Sequence, residues 1–198
     1  MRVFGLAAVI WAALFFAGCG EEGEGAASAT AVSGAHFQGR DCLACHNVDL
    51  QQEKHLLVGG TLFKDANVSD VNDLSLSCGG DFVVDFLVDP LDTSPIASID
   101  YEDLNSKGYR GKGNIFILSR LLATLNGDYY IRIKERDTNR TMAQSGVHSF
   151  RAGDYNIGNS TELSNRNSCN ACHQQVGQSG AAGHLFANVR LDLCQGNL

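Results

Sequence analysis

Asn126-Gly127-Asp128-Tyr129-Tyr130-Ile131-Arg132-Ile133-Lys134 is the stretch whose pattern decides the fold class. Asn-Gly is a strong turn signal. After it, Tyr129, Ile131 and Ile133 alternate with Tyr130, Arg132 and Lys134. A two-residue period puts the first set on one face of a strand and the second on the other, which describes a half-buried strand and not a helix. Upstream, Asp81–Val88 alternates in the same way, with Phe82, Val84, Phe86 and Val88 on one face, and Gly113–Leu118 reads as a short apolar strand. Weaker strand candidates lie at Leu56–Phe63, Ser69–Ser77, Ile96–Tyr101, Leu121–Leu125, Thr141–Gln144 and Val147–Arg151. Nothing between them carries an apolar helical stripe with caps. About six to eight short strands separated by polar turns predict a mainly β unit, an antiparallel β-sandwich over residues 56–151.

On either side of this unit stand two matching five-residue stretches, Cys42-Leu43-Ala44-Cys45-His46 and Cys169-Asn170-Ala171-Cys172-His173. Both read C-x-x-C-H, the spacing of covalent c-type haem attachment. Two thiols three positions apart each reach one vinyl group on the same porphyrin edge. The histidine that follows places its imidazole on the iron. With 7 Cys and 6 His in 198 residues, one copy arises by chance on the order of 0.01 times. The competing chemistry is zinc, which C-x-x-C pairs also bind. Two copies in an exported chain favour haem. The expected set is two covalently bound haem c groups, with Cys42, Cys45, Cys169 and Cys172 as thioether donors and His46 and His173 as axial ligands.

The front of the chain supplies the export signal. Met1-Arg2 is a short positive start, and Val3–Ala17 is apolar but for Gly5. The run is shorter than the ~20 residues a spanning helix needs, so it reads as a signal segment. Its ending, Leu14-Phe15-Phe16-Ala17-Gly18-Cys19, resembles a bacterial lipoprotein signal, with residues 1–18 removed and Cys19 lipidated. The alternative is an ordinary secretory signal with an incidental cysteine. By that resemblance, Gly20 after the cysteine implies an outer-membrane anchor facing the periplasm or the cell surface. Residues 19–35, rich in Gly, Ala, Ser, Thr and Glu, form a flexible tether. The first haem-binding segment then covers 36–55 and the second 152–198. Around the first motif a helix of one or two turns is expected over Cys42–Asn47. Ala187–Gln195 is expected to end the chain as a strand or helix. Two cysteines are left over, Cys78 and Cys194. Outside the cytoplasm unassigned thiols usually pair, so a Cys78–Cys194 disulfide is expected, the alternative being two buried free thiols.

Charge narrows the partners. Lys and Arg number 15 against 22 Asp and Glu, a formal net charge of −7. That excludes a nucleic-acid footprint, which is basic. The two motifs flank one β unit whose ends can meet, so the two haems are expected beside each other.

The order of these parts resembles a group of exported multihaem c-type cytochromes from metal-reducing and related bacteria. Cys42–His46, Gly59–Phe63, Arg140–Met142, Cys169–His173 and the small-residue segment Gly177–His184 carry the resemblance, over about residues 36–186. It implies an electron carrier of anaerobic respiration or extracellular electron transfer, exchanging electrons with other cytochromes and open to self-assembly into a filament. The complete fold expectation is mainly β: an immunoglobulin- or transthyretin-like antiparallel β-sandwich, flanked by two c-type haem segments with short helices.

The sixth iron position separates carrier from enzyme. A second protein ligand closes the iron, whereas an open position admits peroxide or other small ligands, as in a dihaem peroxidase. Four further histidines are candidate sixth ligands, in the order His55, His148, His184 and His36. Met142 is a weaker candidate, since a methionine in a strand is more often core. The expected activity is therefore electron transfer without bond-making, not catalysis.

Overall fold

The alternating stretch becomes the longest strand but one in the molecule, seen in a computed structural model that describes residues 38–100, 113–119, 125–150, 167–177, 180–181 and 183–194. The leader, Cys19, the tether, His36, all but the last residue of the Leu121–Leu125 candidate, and residues 151–166 lie outside the described residues. The strands are β1 (Leu56–Thr61), β2 (Phe82–Leu87), β3 (Ala97–Asp100), β4 (Asn114–Leu118), β5 (Gly127–Glu135) and β6 (Arg140–Phe150). Two short helices bracket them, α1 (Cys42–His46) and α2 (Cys169–Cys172). The chain is thus mainly β, with antiparallel sheets. One sheet has the order β3-β2-β5-β6 and the other pairs β1 with β4.

Both faces of β5 do what the period requires. Ile133 is buried, and Tyr129 and Ile131 pack against the same core. On the other face, Arg132 stands opposite Asp85 of β2. The fully buried Asp85 carboxylate meets Lys134 Nζ at 2.9 Å and Arg132 Nη2 at 3.1 Å, and accepts Ser98 Oγ–H at 2.7 Å. A buried carboxylate is tolerable only with such partners. Val58, Ile115 and Ile117 of the smaller sheet join Phe82, Val84, Phe86, Ile133 and Phe150 of the larger one in a single core. Phe86 meets Phe150 edge to face, with ring centroids 5.6 Å apart. Met142 is fully buried among them, which is the core role weighed against ligation.

Several expectations are corrected. Asn126-Gly127 makes no hairpin turn; Gly127 starts β5 with φ +144°. The hairpin turn lies at the far end, between β5 and β6. There the Glu135 carboxylate accepts from the Asp137 and Thr138 amides and from Thr138 Oγ, and Asn139 takes φ +55°. Asn is among the few side chains that adopt this region readily. The two segments Thr141–Gln144 and Val147–Arg151 are one strand as far as Phe150, because irregular register opposite Tyr130–Lys134 absorbs the mismatch between them. Ser69–Ser77 is not a strand. Asp70 and Asp73 accept the amides of Asn72 and Ser75, and a 3-10 helix covers Leu74–Leu76. Side-chain capture of local amides competes with ladder formation. Of the strand or helix expected over Ala187–Gln195, the described residues form one turn of 3-10 helix, Leu191–Leu193, that stops at Cys194. Phe186 makes a single bridge to Phe63.

Cys78 and Cys194 are joined by a disulfide, with Cα atoms 4.8 Å apart. Among the described residues no helix is long and apolar enough to cross a membrane.

Candidate functional site

α1 and α2 are single helical turns, too short to form alone. Their positions come from caps and from β1. Asp41 caps α1 by accepting the Ala44 amide at 3.2 Å. The same carboxylate oxygen accepts Ser168 Oγ–H, and Ser168 is the residue that precedes α2. Ser168 also pairs with Gly59 of β1 in an isolated parallel bridge. One acidic side chain thus joins the starts of both C-x-x-C-H segments.

Asn170, inside the second motif, completes the connection. It is 1% exposed. Its Nδ2 donates to the Arg40 carbonyl at 2.7 Å and to Thr61 Oγ1 at 3.3 Å, while its Oδ1 accepts the Thr61 amide at 3.1 Å. Thr61 Oγ1 in turn donates to Asn114 Oδ1 and accepts the Gly39 amide. All these polar groups are satisfied within one network, as burial demands. The two motifs, far apart in sequence, are therefore neighbours.

The histidines are oriented as well as placed. His46 Nδ1 lies 2.9 Å from the Lys54 carbonyl, and His173 Nδ1 lies 3.0 Å from the Gly183 carbonyl. A carbonyl only accepts, so each Nδ1 carries a proton and donates it. This is the second-shell pattern that orients metal-bound imidazoles. Burial lowers the proton affinity of His173, the Gly183 hydrogen bond opposes it, and the neighbouring rings of His148 and His184 add to the lowering.

A cavity of about 440 Å³ opens against the second motif. Cys169, Cys172 and His173 line it together with His148 and His184, and its walls are apolar residues of both sheets, among them Val58, Val84, Phe86 and Ile115. His148 Nδ1 donates to the Gly146 carbonyl at 3.0 Å. The His148 and His173 rings are 25° from parallel with centroids 6.4 Å apart. His184 is 4% exposed and stands 5.0 Å from the Phe63 ring. Neither of its ring nitrogens has a hydrogen-bond partner. Burial lowers its pKa, and the nearby His173 backbone opposes the shift. His55 is elsewhere. Its Nε2 donates to the Leu50 carbonyl at 3.1 Å, so Nδ1 holds its lone pair, and it does not line the cavity. His36 lies outside the described residues.

Cys42, Cys169 and Cys172 are free thiols, whereas Cys45 is disulfide-bonded. Burial pushes the Cys42 thiol up to about 12, with negative charge at Cys169 and Asp41 acting in the same direction. Burial likewise pushes Cys169 up to about 12, a backbone hydrogen bond opposing and Cys172 and Asp41 adding to the rise. Both are thiols at neutral pH, the form that oxidises least readily. Among the described residues no three His, Cys, Asp or Glu side chains converge as a metal site of their own. His148, His173 and His184 are thus neighbours without forming a three-histidine centre.

Sequence reasoning missed Asp41, Ser168, Thr61, Asn170 and the Gly59-Gly60 pair. The signals were present: an Asp directly before a helix, an Asn inside a motif, and two glycines in an apolar strand. The chain matches no known family model, no curated protein and no solved structure.

Proposed function

We propose that this protein is a dihaem c-type cytochrome, exported and lipid-anchored through Cys19, that carries electrons in the cell envelope between partner cytochromes. In this reading the two sheets are a β-sandwich of immunoglobulin or transthyretin kind, flanked by the two haem segments. One observation carries it: His46 and His173, in separate motifs, each donate Nδ1–H to a backbone carbonyl, the bond by which metal-bound imidazoles are oriented.

The residues fit the group. Cys169 and Cys172 stand at the wall of an apolar cavity, and an unpartnered buried imidazole, His184, lies beside them. Bound haem supplies a one-electron ferrous–ferric couple. The chain supplies the ligands, an apolar wall and a fixed neighbourhood. His173 would hold the iron at the second motif, and His148, whose ring centroid lies 6.4 Å from that of His173 across the same cavity, would be a second ligand there. His46 is the ligand at the first motif. Thioether formation adds sulfur to a vinyl carbon and the thiol proton to its neighbour, so Cys45 reaches haem only from its reduced form.

The deciding experiment is a pyridine haemochrome assay with intact mass on chain exported by a host competent in haem attachment. Two covalent haems per chain are expected, with low-spin ferric spectra unchanged by cyanide or peroxide. A haem-free chain holding zinc overturns the reading, and a high-spin component that binds cyanide replaces the carrier with an open-iron enzyme.

A further inference from the structure

We infer that Gly59 and Gly60 are positioning residues: this side-chain-free step in β1 sets the separation of the two attachment helices and hence the contact between the two haems. The inference rests on the dihaem reading above. Glycine weakens a strand interior and commonly marks the close approach of another backbone or a ligand. Neither residue has a positive φ, so the backbone conformation does not require glycine. The space does.

A Cβ on Gly59 would lie 2.8 Å from Cys42 Cβ and 3.2 Å from Leu43 Cδ1. A Cβ on Gly60 would lie 2.7 Å from Cys169 Cβ and 3.2 Å from its Sγ. Non-bonded carbons rest at about 3.5–4.0 Å, so neither side chain is accommodated without moving a motif. The obstructing atoms are the first cysteine of each motif, one per glycine. They are also the carbons from which the thioethers hang, so a shift there moves the haem.

Successive strand residues point to opposite faces. Gly60 shares the face of Val58, a cavity-lining residue, and clears α2; Gly59 clears α1 on the other face. The Asp41–Ser168 and Asn170–Arg40 bonds then tie the two segments to each other beside the strand. Glycines hold the helices close and the polar network keeps them from separating. Exchange of charge between two cofactors falls steeply with distance, so two missing methyl groups bear directly on function.

The test uses the haem-loaded, exported chain carrying Gly59→Ala or Gly60→Ala, with Leu91→Ala in the exposed β2–β3 loop as control. Haem content is read by mass and haemochrome, haem–haem contact by the paired bands of Soret circular dichroism, and the two midpoint potentials by spectropotentiometric titration. A helix displaced by about 1 Å is expected from the van der Waals overlap. Both alanine variants should keep two low-spin haems yet lose amplitude in the paired Soret bands and change the interval between potentials, while the control changes neither. Two haems with bands and potentials like the parent overturn the inference and leave the dihaem reading standing; absence of haem in the parent chain defeats the reading itself. If the alanine variants do not fold, magnetic coupling between the two ferric haems of the haem-loaded parent chain is read by electron paramagnetic resonance; coupled signals are expected, and two uncoupled signals overturn the close approach.

Discussion

The nitrogen that carries the lone pair decides what each imidazole can ligate. His46, His148 and His173 each donate Nδ1–H to a backbone carbonyl, so any metal they held would have to meet them at Nε2. His55 spends Nε2 and offers only Nδ1, nearer the backbone. The sequence places His55 first among the candidates; on the dihaem reading proposed above, the cavity position of His148 supports His148 instead. On the dihaem reading, replacing His148 by Ala should leave haem attached through Cys169, Cys172 and His173 but convert one of two low-spin ferric signals to high-spin, read by electron paramagnetic resonance. Two unchanged low-spin signals would remove His148 as a ligand. Away from the site, Asp85 makes a second residue-scale prediction. Burial raises its pKa, but the bonds from Lys134, Ser98 and Arg132 outweigh that and hold it below the usual carboxylate range. The folded value lies below the unfolded value of about 3.9. Its stabilisation is therefore complete above about pH 4 and is lost as pH falls through the folded value. Asp85→Asn should lower stability at neutral pH by about 3 kcal/mol, because two buried-edge cations lose their counter-charge. It should also flatten the acid limb of urea stability against pH; equal acid slopes in parent and variant would contradict the assignment.

At the scale of elements, α1 and α2 show how little helix is needed when the ends are fixed. Five and four residues cannot form helix on propensity alone. α1 depends on Asp41, whose carboxylate serves as N-cap and as acceptor for Ser168. Asp41→Ala should cost about 1 kcal/mol for the cap and more for the lost link, measured by urea denaturation of the apoprotein. Asp41→Asn, which keeps an acceptor, should restore most of it. If alanine and asparagine behave alike, the cap is not what holds α1. The β5–β6 hairpin makes a similar point. Alternation identified both strands, but the turn residues Arg136–Asn139 close through the Glu135 side chain, a tertiary detail that no dipeptide signal announces.

For the whole molecule, the Cys78–Cys194 disulfide fastens the end of the chain beside the core, across 116 residues of sequence. The segment it anchors carries His184, Phe186 and the Asn188 amide that pairs with Gln144 of β6. Cross-linking so long a loop lowers the entropy of the unfolded chain by an amount worth roughly 3–5 kcal/mol. The Cys78→Ser, Cys194→Ser double variant should therefore unfold with that deficit. On the dihaem reading, a haem at the cavity should also become accessible to cyanide in that variant before the molecule unfolds globally. A double variant as stable as the parent would show that the C-terminal segment is held by packing alone.

Strand faces were legible in the sequence because they follow a local rule, although β2 ends at Leu87 and leaves Val88, expected on the face of Phe82, exposed. C-x-x-C-H spacing is set by the reach of two thiols, and alternation is set by the pleat; each works within about ten residues. Cysteine counting reached one long-range contact, Cys78–Cys194, by setting the motif cysteines and Cys19 aside, although it did not anticipate that Cys45 is disulfide-bonded too. What local rules cannot specify is which distant residues share a boundary. The approach of Cys42 and Cys169 to adjacent glycines, the bonding of Asp41 to Ser168, and the nearness of His148 to His173 depend on how segments distant in sequence lie against one another. Those contacts come from burial and hydrogen-bond satisfaction over the whole core. Only the tertiary structure brings the two motifs together.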